Sequence, residues 1–390
     1  MLFSACGKAS KQHIETKISK LNEMPETKKV ESIEKKGLEE YATLKINPEV
    51  FFETQSKIRS ALLINDDKLY FGNENREFYA VDINTKQKLW MYSSDEPVQT
   101  LPVYTDGKII FNAGNSIYIL DAANGNEIHK VTYPSDSLLR VSAEDFAFND
   151  SYVAVSAGVA YYAALNGDIV AVEINSGKII WSIPSVNSGT VASGINFWNG
   201  KLYYSDHAGS LCCVDVQTKR MVFQTQIHDR IFAPMYITDG KIYVGGRSSK
   251  IYCMDANTGD VLWSSFSNDP STWFSGGSVS VKNVLYTCTS DEHTIDAFNK
   301  DTGEFLRLYP TEKNAYTEPV LHGENIIVAA TDVYSFKESY VMEFDTKNHT
   351  KLWQASLEDC ILSSPAIYKE TIYFGTDSGV IYSINLKSAK

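Results

Sequence analysis

KIYVGGRSSKIYCMDANTGDVLW, residues Lys241–Trp263, holds three short apolar runs separated by turns. The first is Ile242, Tyr243 and Val244, the second is Ile251 to Met254, and the third ends in Trp263. Short runs of β-branched and aromatic residues bounded by Gly, Ser, Asn and Asp read as strands of an antiparallel meander. A single meander cannot bury both of its faces and is marginal alone. It needs copies of itself, and the chain supplies them.

The copies share a marker: an acid or Asn at a strand end, a polar turn, and a bulky residue eight positions later. They begin at Asp82, Asp121, Glu173, Asp215, Asp255, Asn299, Asp345 and Asn385, at spacings of 39, 52, 42, 40, 44, 46 and 40 residues. The eighth position is Trp90, His129, Trp181, Phe223, Trp263, Arg307 and Trp353, and the last copy runs off the C-terminus. A second marker opens an inner strand with a small residue or Pro, as in Leu101-Pro102-Val103, Ala233-Pro234-Met235, Glu318-Pro319-Val320 and Ser364-Pro365-Ala366. A period near 40–45 residues with four strands per copy predicts an all-β, eight-bladed β-propeller of four-stranded antiparallel blades over residues 48–390. The acid at the strand end is expected to accept hydrogen bonds from the amides of its turn, and the aromatic to dock on the next blade.

The eighth copy lacks an outer strand. Pro48–Gln55 (PEVFFETQ) stands where one is needed, so it is expected to close the ring and leave no open edge at the join. Residues 7–47 are rich in Lys and Glu with few apolar side chains, and read as a flexible charged tether. Residues 1–6, MLFSAC, look like the end of a lipoprotein signal, with Ser4 and Ala5 before Cys6. On that reading Cys6 carries a lipid and anchors the chain. The other reading is a cysteine in a disordered tail.

The repeat resembles the PQQ-type, tryptophan-docking propeller family, over about residues 50–390. That family includes quinoprotein dehydrogenases and the BamB-type lipoproteins of outer-membrane β-barrel assembly. The eight copies, the residues before the propeller and the terminal TIYFGTDSGVIYSIN lean toward the second group. The resemblance implies a cell-envelope protein, lipid-anchored to the outer membrane and facing the periplasm or the exterior. It implies no reaction of its own and a protein partner, with a β-barrel assembly complex as the expected one. The chain is expected to act as a monomer.

The enzyme reading rests on adjacent Cys212 and Cys213, because quinoprotein dehydrogenases carry a vicinal disulfide against their quinone. Here SLCCVDV aligns with KIYCMDA, so Cys213 and Cys253 hold equivalent strand positions. Neighbours on a strand point to opposite faces, whereas a vicinal disulfide needs a strained turn. No dense Asp/Asn/Glu cluster suggests a calcium cage beside a quinone, and none of the seven histidines has metal-ligand spacing. PQQ is therefore not expected, no metal is expected, and Trp90, Trp181, Trp263 and Trp353 are assigned to docking between blades. The alternatives are a PQQ-dependent dehydrogenase of sugars or alcohols and a propeller that binds extracellular glycans or small molecules.

A formal charge of −12 argues against nucleic-acid binding, and no apolar run reaches the length of a membrane span, so membrane attachment is expected through the lipid only. Partner contact is sought where the copies differ. The long interval after the second copy contains an insertion, 135–150, with Leu138, Leu139, Arg140, Phe146 and Phe148. The seventh copy has an extended loop, 331–339, with Tyr334 and Phe336, and Asp229 and Arg230 precede the Ala233-Pro234 marker.

Overall fold

The computed structural model describes residues 44–134, 152–184, 194–206, 208–231 and 233–387. All regular elements among them are strands, arranged as eight sheets. Blades 1 to 7 occupy residues 63–93, 103–132, 154–183, 196–226, 236–266, 274–310 and 320–357, and blade 8 occupies 366–385. Blades 1 to 7 each run inner, second, third, outer in chain order. The opening stretch supplies the last three strands of blade 5: Lys241–Gly245, Lys250–Asp255 and Val261–Phe266.

The middle strands are buried on both faces, and successive side chains enter different interfaces. In blade 2, Ile109 and Phe111 pack toward blade 1 while Ile110 packs toward blade 3. Apolar clusters of this kind occupy the interface between every pair of neighbouring blades, and the last joins blade 8 to blade 1 through Phe51, Phe71, Tyr373 and Ile381. The ring is thus held by its interfaces, since a blade alone has no enclosed core.

Closure follows the sequence reading. Strand Glu49–Glu53 pairs antiparallel with Val380–Asn385 and completes blade 8. The boundary of the tether does not follow it. Residues Leu44–Ile46, expected within the tether, form a strand parallel to the outer strand of blade 7, Thr350–Leu357, so that blade has five strands. Ile46 is half-buried against the apolar cluster of blades 7 and 8 that contains the fully buried Trp353.

The docking turns have one construction. Asp255 Oδ1 accepts from the amides of Asn257 and Thr258 at 2.7 and 3.0 Å, and Asp82, Asn299 and Asp345 do the same in their turns. The indole of Trp90 donates to the Ala122 carbonyl at 3.2 Å, and that of Trp263 to Lys300 O at 3.2 Å. Each ring lies flat against a turn glycine of the next blade: a Cβ on Gly125 or Gly303 would stand 2.6 Å from it. His129 repeats the arrangement, with Nε2 2.9 Å from Asn175 O and its ring against Gly177. Blade 6 departs from it. Arg307 is exposed, and Tyr309, two residues on, is buried with its hydroxyl 2.9 Å from His349 Nδ1 in the next blade's turn.

A β-bulge accompanies every docking position. Ala80 pairs with Trp90 but Val81 with Lys88, so Leu89 is skipped. Likewise Ile128, Ile180, Val222, Leu262, Leu306 and Leu352 are skipped in blades 2 to 7. All seven are exposed. The extra residue turns the aromatic inward and bends the outer edge, which discourages pairing with other chains.

Candidate protein-docking face

Antiparallel strands reverse direction, so the connections of a blade alternate between the two faces of the ring. One face carries the turns after the inner and third strands, including all the Asp-capped docking turns. The other carries the turns between second and third strands together with the links from blade to blade. Asp229, Arg230, Tyr334 and Phe336 all fall on this second, loop face. Leu138, Leu139, Arg140, Phe146, Phe148 and Cys6 lie outside the described residues.

Asp229 and Arg230 separate in role. The Asp229 carboxylate, 8% exposed, is turned inward and accepts from the Ser248 amide at 3.0 Å and from the Ser248 hydroxyl. A Cβ on Gly246 would overlap it, so it belongs to the joint between blades 4 and 5. Arg230 faces solvent, and its carbonyl accepts from the Arg247 amide at 2.9 Å.

From Arg247 a ridge runs across blades 5 to 7. The Arg247 guanidinium sits 5.5 Å from the centre of the Trp273 ring. Trp273 meets Tyr316 edge to face at 5.7 Å. Both pack with Val333, Phe336, Cys360 and Leu362 in a small cluster beneath the loop 332–338. That loop is built rather than loose: the Asp332 carboxylate accepts from the Tyr334 and Ser335 amides, and Lys313 pairs with Glu338 at 2.8 Å. It half-buries Phe336 as a foot and lifts Tyr334 to 79% exposure, where the hydroxyl donates to Asp291 at 3.2 Å. Burial first, and then the charge of Asp291, holds the Tyr316 phenol well above its ordinary range, so it stays a neutral hydrogen-bonding group.

The sequence reading missed Arg247, Trp273 and Tyr316. Trp273 was open to detection, since it lies outside the docking register in a link before an inner strand. Tyr316 and Arg247 had no such mark.

Cys212 and Cys213 are free thiols on one strand, and they point into different interfaces, one toward blade 3 and the other toward blade 5. Among the described residues no group of three or more His, Cys, Asp or Glu is placed to hold a metal ion, and no helix is long and apolar enough to cross a membrane.

Eight blades, aromatic docking turns and a variable loop face define a propeller of the PQQ-like, tryptophan-docking class. A family model described as outer membrane protein assembly factor BamB matches residues 49–195 and 165–386, and the chain belongs to that family. Proteins of that name from Yersinia pestis and Moranella endobia are each 23% identical to it, over 287 and 207 residues. The first match covers 69% of this chain and 68% of that protein, and the second 50% and 51%. The chain thus spans about half the length of the Moranella relative. A quinone-type alcohol dehydrogenase subunit from Gluconobacter oxydans is 29% identical over 136 residues, 28% of this chain and 18% of that protein. The crystal structure of BamB from Moraxella catarrhalis superposes with a TM-score of 0.69 at 15% identity, over 86% of this chain and 99% of that one. A computationally designed protein, Ika8, superposes at 0.70 with 14% identity over the same shares.

Proposed function

We propose that the chain is a non-catalytic scaffold that docks a protein of the outer-membrane β-barrel assembly machinery on the loop face of blades 5 to 7. The observation that carries this is the ridge of Arg230, Arg247, Trp273, Tyr316, Phe336 and Tyr334. Arg, Trp and Tyr are the side chains that dominate binding energy at protein interfaces, and a rigid platform under them lowers the entropy lost on docking. Tyr334 is the natural anchor: a large ring held out from a loop whose own backbone is already ordered. A lipid on Cys6 would keep the ring at the outer membrane in the cell envelope, where such a partner is found, and no quinone takes part.

Capture from solubilised membranes tests it. The wild-type chain should recover an outer-membrane β-barrel assembly protein. Tyr334→Ala should weaken capture by about tenfold or more with an unchanged melting temperature, since exposed side chains contribute little to folding. Undiminished capture by Tyr334→Ala and Arg230→Ala together would remove this face from the proposal.

The rival reading is a quinone-dependent dehydrogenase of sugars or alcohols, favoured by the partial similarity to the Gluconobacter subunit. It predicts dye reduction that depends on added quinone and calcium. The scaffold reading predicts none.

A further inference from the structure

Tyr152 leads into the inner strand of blade 3, Ala154–Ser156, and Glu318 into that of blade 7, Val320–His322. The Tyr152 hydroxyl donates to the Glu318 carboxylate. These blades are four places apart in a ring of eight, so they stand opposite each other. A hydrogen bond between them passes through the centre of the ring.

The surroundings are built for this pair. Gly194, in the link to blade 4, holds φ +70°, and a Cβ there would lie 2.8 Å from the Tyr152 ring. On the other side, a Cβ on Gly277 of blade 6 would lie 2.6 Å from Glu318 Cγ. The Glu318 amide donates to the Ser364 hydroxyl of the link to blade 8 at 3.2 Å. Five blades therefore shape the space that two side chains fill. Each is half-buried, so solvent reaches it, but protein crowds round both. That enclosure raises the Glu318 carboxyl above its ordinary range, an effect the Tyr152 hydroxyl partly offsets. Cys288, fully buried between blades 6 and 7, is the thiol beside Glu318: a Cβ on Gly276 would be 2.7 Å from its Cβ, and burial, then Asp296 and Glu318, push its thiol up.

We propose that Tyr152 and Glu318 form a crossbar that closes the axial channel of the propeller and keeps small solutes from the interior around Cys288. The crossbar is independent of what docks on blades 5 to 7.

Alkylation by iodoacetamide, followed peptide by peptide with mass spectrometry, tests it in the full chain. Cys253, fully buried between blades 5 and 6, reports general loosening, while Cys288, equally buried between blades 6 and 7 but beside Glu318, reports opening at the crossbar. Tyr152→Ala should speed alkylation of Cys288 relative to Cys253 by about tenfold or more, the signature of a local opening. Glu318→Ala should do the same, and it decides the matter if Tyr152→Ala does not fold. Glu318→Gln keeps an acceptor for the Tyr152 hydroxyl and should stay near the wild-type ratio. An unchanged ratio in both alanine variants, or equal acceleration of both thiols, overturns the crossbar.

Discussion

The repeat turn is a fit between one ring and one missing atom. Trp263 needs its indole against the Gly303 backbone to reach the Lys300 carbonyl, and the absence of a Cβ lets it approach. Gly303 also holds φ +74°, so Gly303→Ala adds backbone strain to a clash. Gly107, at φ +73° with nothing within 4 Å of its would-be Cβ, carries the strain alone. In urea unfolding, Gly303→Ala should lose about 1–3 kcal/mol more than Gly107→Ala, the usual cost of overpacking. Equal losses would mean that docking does not depend on the gap. Asp296 offers a second measurement. Burial foremost, and then Glu292, raises its carboxyl from 3.8 to about 7, while Ser267 and Thr294 donate to it. Its folded form thus holds a proton that the unfolded form has lost. The stability it contributes is complete below about 4 and is lost as pH rises toward about 7. The melting temperature of Asp296→Asn relative to wild type should climb across that window and level off above it. A flat difference from pH 4 to pH 8 would show that the site does not hold the proton.

Among the elements, the outer strands carry most of the exposed large apolar residues of the described chain, and the bulge accounts for seven of them. Leu89, Ile180 and Leu262 face outward because each is the residue skipped in pairing before a docking aromatic. Their exposure is a by-product of inter-blade packing. Blade 7 treats its edge differently. Its partner position opposite Trp353 is Glu343, where Ala, Ile or Cys stands in other blades. The Trp353 indole therefore donates to Glu343 at 2.6 Å within its own blade, and His322 and Asn325 complete the carboxylate's partners. The parallel strand Leu44–Ile46 covers this arrangement. Ile46→Asp should release that strand, since a charge set against the apolar cluster of blades 7 and 8 costs more than three added backbone pairings return. Acrylamide should then quench a tryptophan component that is protected in the wild type. Unaltered quenching would mean that the strand is not what shields Trp353.

In the whole molecule, eight similar interfaces close a ring that has no terminal blade to fray. Glu49–Glu53 makes the chain ends part of one sheet, and Arg59 fastens the join with a bidentate pair to Asp377 at 2.9 and 2.7 Å. Such a ring gives each face a rigid frame. The face with the repeated Asp turns is nearly the same from blade to blade. The loop face is where links and turns vary, which is why the proposed docking surface is placed there.

The period, the Asp-to-aromatic spacing and the Pro-marked inner strands were enough to read eight blades and the closing strand, because these are local patterns repeated at fixed distance. The extended loop that carries Tyr334 was legible for the same reason in reverse, as a departure from the pattern. What the chain could not disclose is whatever depends on residues meeting across the ring. Arg247, Trp273 and Tyr316 are far apart in sequence and join only because links and turns of neighbouring blades emerge on one face. Asp229 looked available and is buried, since its burial is set by Gly246 in the following blade. Leu44–Ile46 looked like tether, having too few apolar residues to order itself, and becomes a strand only on the edge that blade 7 offers. Tyr152 and Glu318, 166 positions apart, meet because blades 3 and 7 are opposite. The repeat in the sequence set the number of blades and the turn chemistry; the closing of the ring decided which side chains face each other, because distance across a closed ring has no counterpart along the chain.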